Sequence, residues 1–163
     1  MKEGFAGRHL ILDAVTVSDN RYLLGDIKVV YDFLMGVTRD LDMTMTGPPI
    51  VYNFPYSQGM VERIQKELKK AGINPAVLDM FKDYENKNGG VSGTVIWTDS
   101  HLCIHTFPFL NFFSMDAYSC KDFIPGNVID LARLSFGRFV WAHATNLKRF
   151  IQNNPEIESY VVT

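Results

Sequence analysis

Between Gly89 and Pro108 the chain gathers groups that can do chemistry. They are the hydroxyls of Ser92 and Ser100, the imidazoles of His101 and His105, the thiol of Cys103 and the carboxylate of Asp99. Burying so many reactive groups without a use would be costly, so a site is expected here. A serine attacks an amide when strain or a positioned base helps it, and a histidine titrating near neutrality is suited to moving the proton. A different chemistry draws on the same stretch: His101, Cys103 and His105, with Cys120 from a neighbouring strand, are ligand types for a tetrahedral zinc site. Their spacing is not a common structural-zinc pattern, and zinc stays an alternative.

Two extended segments must position these groups. Val95, Ile96 and Trp97 read as a buried strand introduced by a glycine-rich turn, and Leu102 to Phe107 as a second segment ending at Pro108. Alternation along a strand puts His101, Cys103 and His105 on one face and Ser100, Leu102 and Ile104 on the other. Ser100 and His105 therefore meet only if the chain bends or breaks near Ser100.

Around them, residues 8–15 read as a first strand carrying Asp13, and Val17-Ser18-Asp19-Asn20 as a turn. Apolar residues Ile27, Val30, Tyr31, Leu34 and Val37 recur at helical spacing between Leu24 and Asp40, with Asp26 near the positive end. Residues 43–54 read as a strand, a kink at Gly47-Pro48-Pro49 and a second extended piece whose aromatics, Phe54 among them, could wall a pocket. Val61, Ile64, Leu68 and Ala71 mark a short helix ending at Gly72 with lysines outward, and Asn74-Pro75 opens another. Further on come a strand over 111–119, a helix outlined by Val128, Leu131, Ala132 and Leu134, a strand over 138–142, a helical turn over 147–152 and an extended piece over 158–162. This order suggests an α+β two-layer sandwich, a mainly antiparallel sheet covered on one face by helices.

The 163 residues are enough for one domain with a real core, and 47% hydrophobic with 13% aromatic residues argues against disorder. A formal net charge of -2 gives no electrostatic footprint for nucleic acid or an anionic membrane, so neither partner is expected. No run approaches the roughly 18 apolar residues of a membrane span, and Met1-Lys2-Glu3-Gly4-Phe5 starts no secretory signal, so the expected location is cytoplasmic. The two cysteines are expected as free thiols.

The motifs Gly90-Val91-Ser92-Gly93 and Asp99-Ser100-His101-Leu102-Cys103-Ile104-His105-Thr106-Phe107-Pro108-Phe109 resemble those of the S-adenosylmethionine decarboxylase family in its short prokaryotic form. Family members carry Gly-Val-Ser-Gly, a hydrophobic strand, then Glu-Ser-His-Leu-x-Ile-His-Thr-(Trp/Phe)-Pro-Glu. The resemblance begins at Gly7-Arg8-His9-Leu10 and continues to Met115-Asp116-Ala117-Tyr118-Ser119-Cys120, like Asp-x-Phe-(Thr/Ser)-Cys. Residues 57–88 look like a helical insertion relative to the shortest members.

This resemblance implies the same two-layer architecture and a proenzyme that cuts itself between Asp99 and Ser100. It would leave residues 1–99 as a β chain and 100–163 as an α chain. The Ser100 hydroxyl attacks the preceding carbonyl, an ester forms, and loss of the serine Cα proton expels the Asp99 carboxylate to leave dehydroalanine, which hydrolysis converts to a pyruvoyl group. By position His105 removes the proton, Ser92 helps to stabilise the oxyanion, and Cys120 returns a proton to the substrate carbon. The pyruvoyl carbonyl would take the substrate amine as a Schiff base and act as electron sink for loss of carbon dioxide. Short members pair as homodimers with sites near the subunit interface.

Two departures matter. Asp99 replaces a glutamate, a conservative change because the reacting atom is the backbone carbonyl. Phe109 replaces the glutamate that binds the ribose hydroxyls of the substrate, and it cannot accept those hydrogen bonds. Each ribose hydroxyl left unpaired would cost about 1 to 3 kcal/mol. S-adenosylmethionine is the expected substrate, with arginine or ornithine, which have no ribose, as the alternative. Asp13, at the position of a family glutamate near the active site, Asp116 and the carboxylates of the 57–88 insertion are the candidates for binding a cationic tail. A homologue that does not process and serves as a partner subunit is a third possibility.

Overall fold

The structure, a computed structural model, describes residues 4–55, 58–70, 72, 89–151 and 154–162. Its frame is one seven-stranded sheet in the order β2-β3-β4-β5-β1-β6-β7, with every pairing antiparallel. The strands are β1 (Phe5–Thr16), β2 (Ile50–Phe54), β3 (Gly90–Trp97), β4 (Ser100–Phe107), β5 (Phe112–Ser119), β6 (Phe139–Phe150) and β7 (Glu156–Val161). The α-helices among the described residues are α1 (Arg21–Leu24), α2 (Ile27–Asp40), α3 (Gln58–Lys70) and α4 (Pro125–Phe136). The α+β two-layer reading holds.

Helix α2 forms where the sequence supplies an apolar stripe and a cap. The Asp26 carboxylate accepts a hydrogen bond from the Lys28 backbone N–H at 2.7 Å, satisfying one of the orphan donors of the first turn. Val30, Phe33, Leu34 and Val37 are buried, each worth about 2 kcal/mol by removal of apolar area from water. Helix α4 starts at Pro125, which suits a first turn because its missing N–H has no partner there anyway, and it ends at Gly137 with φ 87°. The two helices meet through Phe33 and Phe136, whose rings lie 5.1 Å apart, and Phe136 packs equally close on Phe113 of β5.

One face of the sheet supplies the core. Leu10, Leu12 and Ala14 of β1, Leu102 and Ile104 of β4, and Phe113, Met115 and Ala117 of β5 all point to the helices. The opposite face keeps large apolar groups in solvent, with Ile11 41%, Trp141 46% and Ile96 55% exposed.

Three elements differ from the sequence-based expectation. Gly90 to Gly93 is the first half of β3 and not a turn, and Gly93 is there for closeness: a Cβ would stand 2.9 Å from the side chains of Leu34 and Val30, so α2 rests directly on the bare backbone. The piece beginning at residue 43 makes one isolated bridge, Met45 to Trp97, and the strand proper begins at Ile50, after the two prolines. Residues 147–150 continue β6, because the ladder to β1 runs on through Leu147, Lys148 and Arg149 and overrides the local helical pattern. Residues 74–81, expected as a helix, lie outside the described residues.

Candidate active site

β3 and β4 are joined by the two residues Thr98 and Asp99, both exposed, and Ser100 opens β4. Ser100 is only 9% exposed and points to the helix side of the sheet, where its hydroxyl donates to Ser119 Oγ at 3.1 Å. Ser119 also accepts from the Lys121 backbone N–H at 2.9 Å, and the Lys121 ammonium donates to the carbonyls of Leu41 and Asp42 at 3.3 Å each. Buried Arg8 holds the same loop from the other side, its Nε donating to Asp122 Oδ1 at 2.5 Å and its terminal nitrogen to Asn146 Oδ1 at 3.0 Å. That guanidinium holds the Asp122 carboxyl below its usual range. Cys120 is exposed one residue beyond Ser119, itself the cross-strand partner of Ser100.

Ser92 and His105 form the second element of the expected site. They are partners across β3 and β4, and Ser92 Oγ lies 2.8 Å from His105 Nδ1 on the open face. The same cross-sheet row runs on through Ser114 to Asp13 and His143. Asp13 is thus two strands from His105, roughly 10 Å at about 4.8 Å per strand. Next to this row, Phe54, Phe107 and Phe112 make an aromatic wall with ring separations of 6.0 and 5.7 Å. Phe109 sits half-buried in the single turn Pro108–Leu110 after β4.

The expected residues therefore fall into two groups at opposite ends of β4. Ser100 and Cys120 lie at one end; Ser92, His105, Asp13, Phe54 and Phe109 lie toward the other. Ser100 and His105 are five residues apart on a continuous strand, roughly 16 Å at about 3.3 Å per residue, and on opposite faces. The chain does not bend between them.

Sequence reasoning undervalued one cluster on the open face. The carboxylate of Asp116 takes both His9 Nε2, at 3.4 Å, and His101 Nε2, at 3.1 Å, on one oxygen. His9 does most to hold the Asp116 carboxyl below its usual range, burial opposes, and His101 adds to the lowering. His9 is the more enclosed of the two imidazoles although His101 is nearer. The register of β1, β4 and β5, unavailable before the fold was known, is what brings the three together. The zinc alternative loses its geometry here: His101 goes to Asp116, Cys103 to Thr94 Oγ1 at 3.1 Å, and His105 to Ser92. Among the described residues no three His, Cys, Asp or Glu side chains converge on a metal position.

A pH prediction follows from Asp116. Its folded pKa lies below the ordinary 3.8, so its contribution to stability is present above that value and is lost as pH falls through the folded one. The melting temperature of the parent should drop on acidification below pH 3.8, and Asp116→Asn should flatten that part of the curve. Superimposable acid limbs would show that the histidine contacts carry no stability.

The S-adenosylmethionine decarboxylase family model matches residues 57–149, more than half of the chain. Among curated relatives, the S-adenosylmethionine decarboxylase proenzyme of Pyrococcus abyssi is 31% identical over 74 residues, covering 45% of this chain and 52% of that protein. That of Moorella thermoacetica is 36% identical over 69 residues, 41% of this chain and 54% of the other. The chain thus spans about half the length of the curated relatives it matches. In fold it is similar to the adenosylmethionine decarboxylase of Aquifex aeolicus, with a TM-score of 0.61 at 16% identity over 93% of this chain and 96% of that one. On the extent of the family match, the chain belongs to the S-adenosylmethionine decarboxylase family.

Proposed function

We propose that this protein is a cytoplasmic proenzyme that cuts itself between Asp99 and Ser100 and then acts as a pyruvoyl-dependent decarboxylase on S-adenosylmethionine, supplying the aminopropyl donor for spermidine. The observation that carries the reading is the setting of Ser100, a nearly buried serine where an exposed two-residue turn enters a strand, with Cys120 beside its cross-strand partner. Such a place fits the group. The Asp99 end is free to leave, while hydrogen bonds to β3 and β5 hold residue 100 in position after the cut.

The pyruvoyl carbonyl supplies an electrophile that takes up the substrate amine and draws off the electrons released with carbon dioxide. This chain's own residues do the rest. Ser119 fixes the Ser100 hydroxyl before the cut, His105 carries protons with Ser92 on its Nδ1, and Cys120 gives a proton to the substrate carbon. Phe54 forms the wall against the substrate, and Asp13 offers a carboxylate for its cationic group.

Ser100 and His105 cannot meet within one chain, and an open apolar sheet face needs a cover. A homodimer in which two open faces pack about a two-fold axis covers that face and sets the Ser100 end of one protomer over the Ser92 and His105 end of its partner, and the exposed Thr98-Asp99 turn is where Ser100 would swing from the helix side toward them. A symmetric interface uses each end twice, giving two sites per dimer.

Phe109 favours a second reading of the substrate as arginine or ornithine, since its ring gives ribose hydroxyls no acceptor. The deciding experiment offers carboxyl-labelled S-adenosylmethionine, arginine and ornithine side by side and measures labelled carbon dioxide. Release from S-adenosylmethionine alone is the expected outcome; release only from a basic amino acid would transfer the function to the second reading, and release from none would end both.

A further inference from the structure

Tyr118 occupies the position at which the family pattern carries phenylalanine, and its extra oxygen is not idle. The hydroxyl lies 3.4 Å from Cys120 Sγ and donates to the Ala6 carbonyl at 3.3 Å. Its ring is fixed on the open face by His9 and His101, each 5.9 Å away centre to centre, and by the Arg149 guanidinium 5.2 Å from its centre. Gly7 makes room for it. A Cβ there would stand 2.9 Å from the Tyr118 hydroxyl and 2.7 Å from the Ser119 carbonyl, at a φ of 150° that side chains rarely adopt.

We propose that Tyr118 is a positioning residue of the reaction, holding the Cys120 sulfur at the Ser100 end of the sheet and donating to the thiolate left when Cys120 gives up its proton. The inference rests on the reading of Cys120 as the proton donor. In the thiol state the S–H donates to the phenol oxygen, whose own proton goes to Ala6. When the S–H bond breaks and a C–H bond forms on the substrate, the electron pair stays on sulfur, the phenol O–H turns from Ala6 to the thiolate, and water later restores the thiol. The contact with Cys120, with burial next and the charges of Cys120 and Asp99 behind it, keeps the phenol above its ordinary value against the opposing charge of Arg149. Tyr118 thus remains a donor at neutral pH.

The test uses the full chain with Ser100→Ala, which carries no pyruvoyl group, and reads iodoacetamide alkylation of Cys120 by peptide mass spectrometry at pH 8. Adding Tyr118→Phe removes one oxygen and leaves the ring. It should slow alkylation by about threefold or more, as expected for loss of a hydrogen bond to a charged group, with an unchanged circular dichroism spectrum. In the self-cleaved enzyme the same change should lower kcat while KM stays within about twofold, since the bond is made after substrate has bound. Alkylation at the parent rate or faster would overturn the proposal. Full decarboxylation by Cys120→Ala would instead overturn the proton-donor reading, a failure that the alkylation rate does not share.

Discussion

Ser100→Ala should stay a single uncut chain under conditions in which the parent is expected to separate into residues 1–99 and 100–163. Alanine lacks the oxygen that must bond to the Asp99 carbonyl carbon. The hydroxyl bonded to it, Ser119, is on a different strand and serves as acceptor to Ser100. Removing a nucleophile from a hydrolase that depends on it costs about a millionfold in rate, so days of incubation should show no fragment. The fold should survive. The lost Ser100 to Ser119 bond is neutral and worth about 1 kcal/mol, and Ser119 keeps the Lys121 backbone donor. Decarboxylation should vanish together with the cut, whereas Cys120→Ala should still cut and should lose most of its decarboxylation. Intact-mass measurement checks all three chains. A Ser100→Ala chain that splits at the same bond, or a parent that stays whole, would remove the basis of the proposed chemistry.

How much of this was legible in the sequence depended on whether an element's reasons were local. Helix α2 was readable because its stripe, its Asp26 cap and its length all sit within one segment. The face assignment of β4 was readable too, since alternation requires no knowledge of neighbours: Ser100, Leu102 and Ile104 are buried, and His101, Cys103 and His105 are not. What failed was non-local. Gly90 and Gly93 look like turn residues until a helix is laid over them, and residues 147–150 look helical until β1 pairs with them. The Asp116, His9 and His101 cluster is spread over more than a hundred residues, and only the strand order joins it. The alternation reading also contained the central problem of the site in advance, for it put Ser100 and His105 on opposite faces of one strand.

That separation leads to the sharpest test of the assembled site. Ser100→Ala has no nucleophile and His105→Ala no imidazole, so neither should cut when expressed alone. In a mixed dimer one complete site returns, formed by Ser100 of the His105→Ala protomer and His105 of the Ser100→Ala protomer. Random pairing makes about half of the dimers mixed, so about half of the His105→Ala chains should be cut while the Ser100→Ala chains stay whole. Different tags on the two chains, co-expression and denaturing electrophoresis read this out directly. The recovery is large because it runs from no product to half of the theoretical yield, and asymmetric because only one tag should appear on fragments. Mixed dimers that form and stay uncut would show that the proton carrier acts within its own chain. The strand continuity of β4 would then have to break before processing, at Ser100 itself, where the backbone passes from exposed turn to buried ladder.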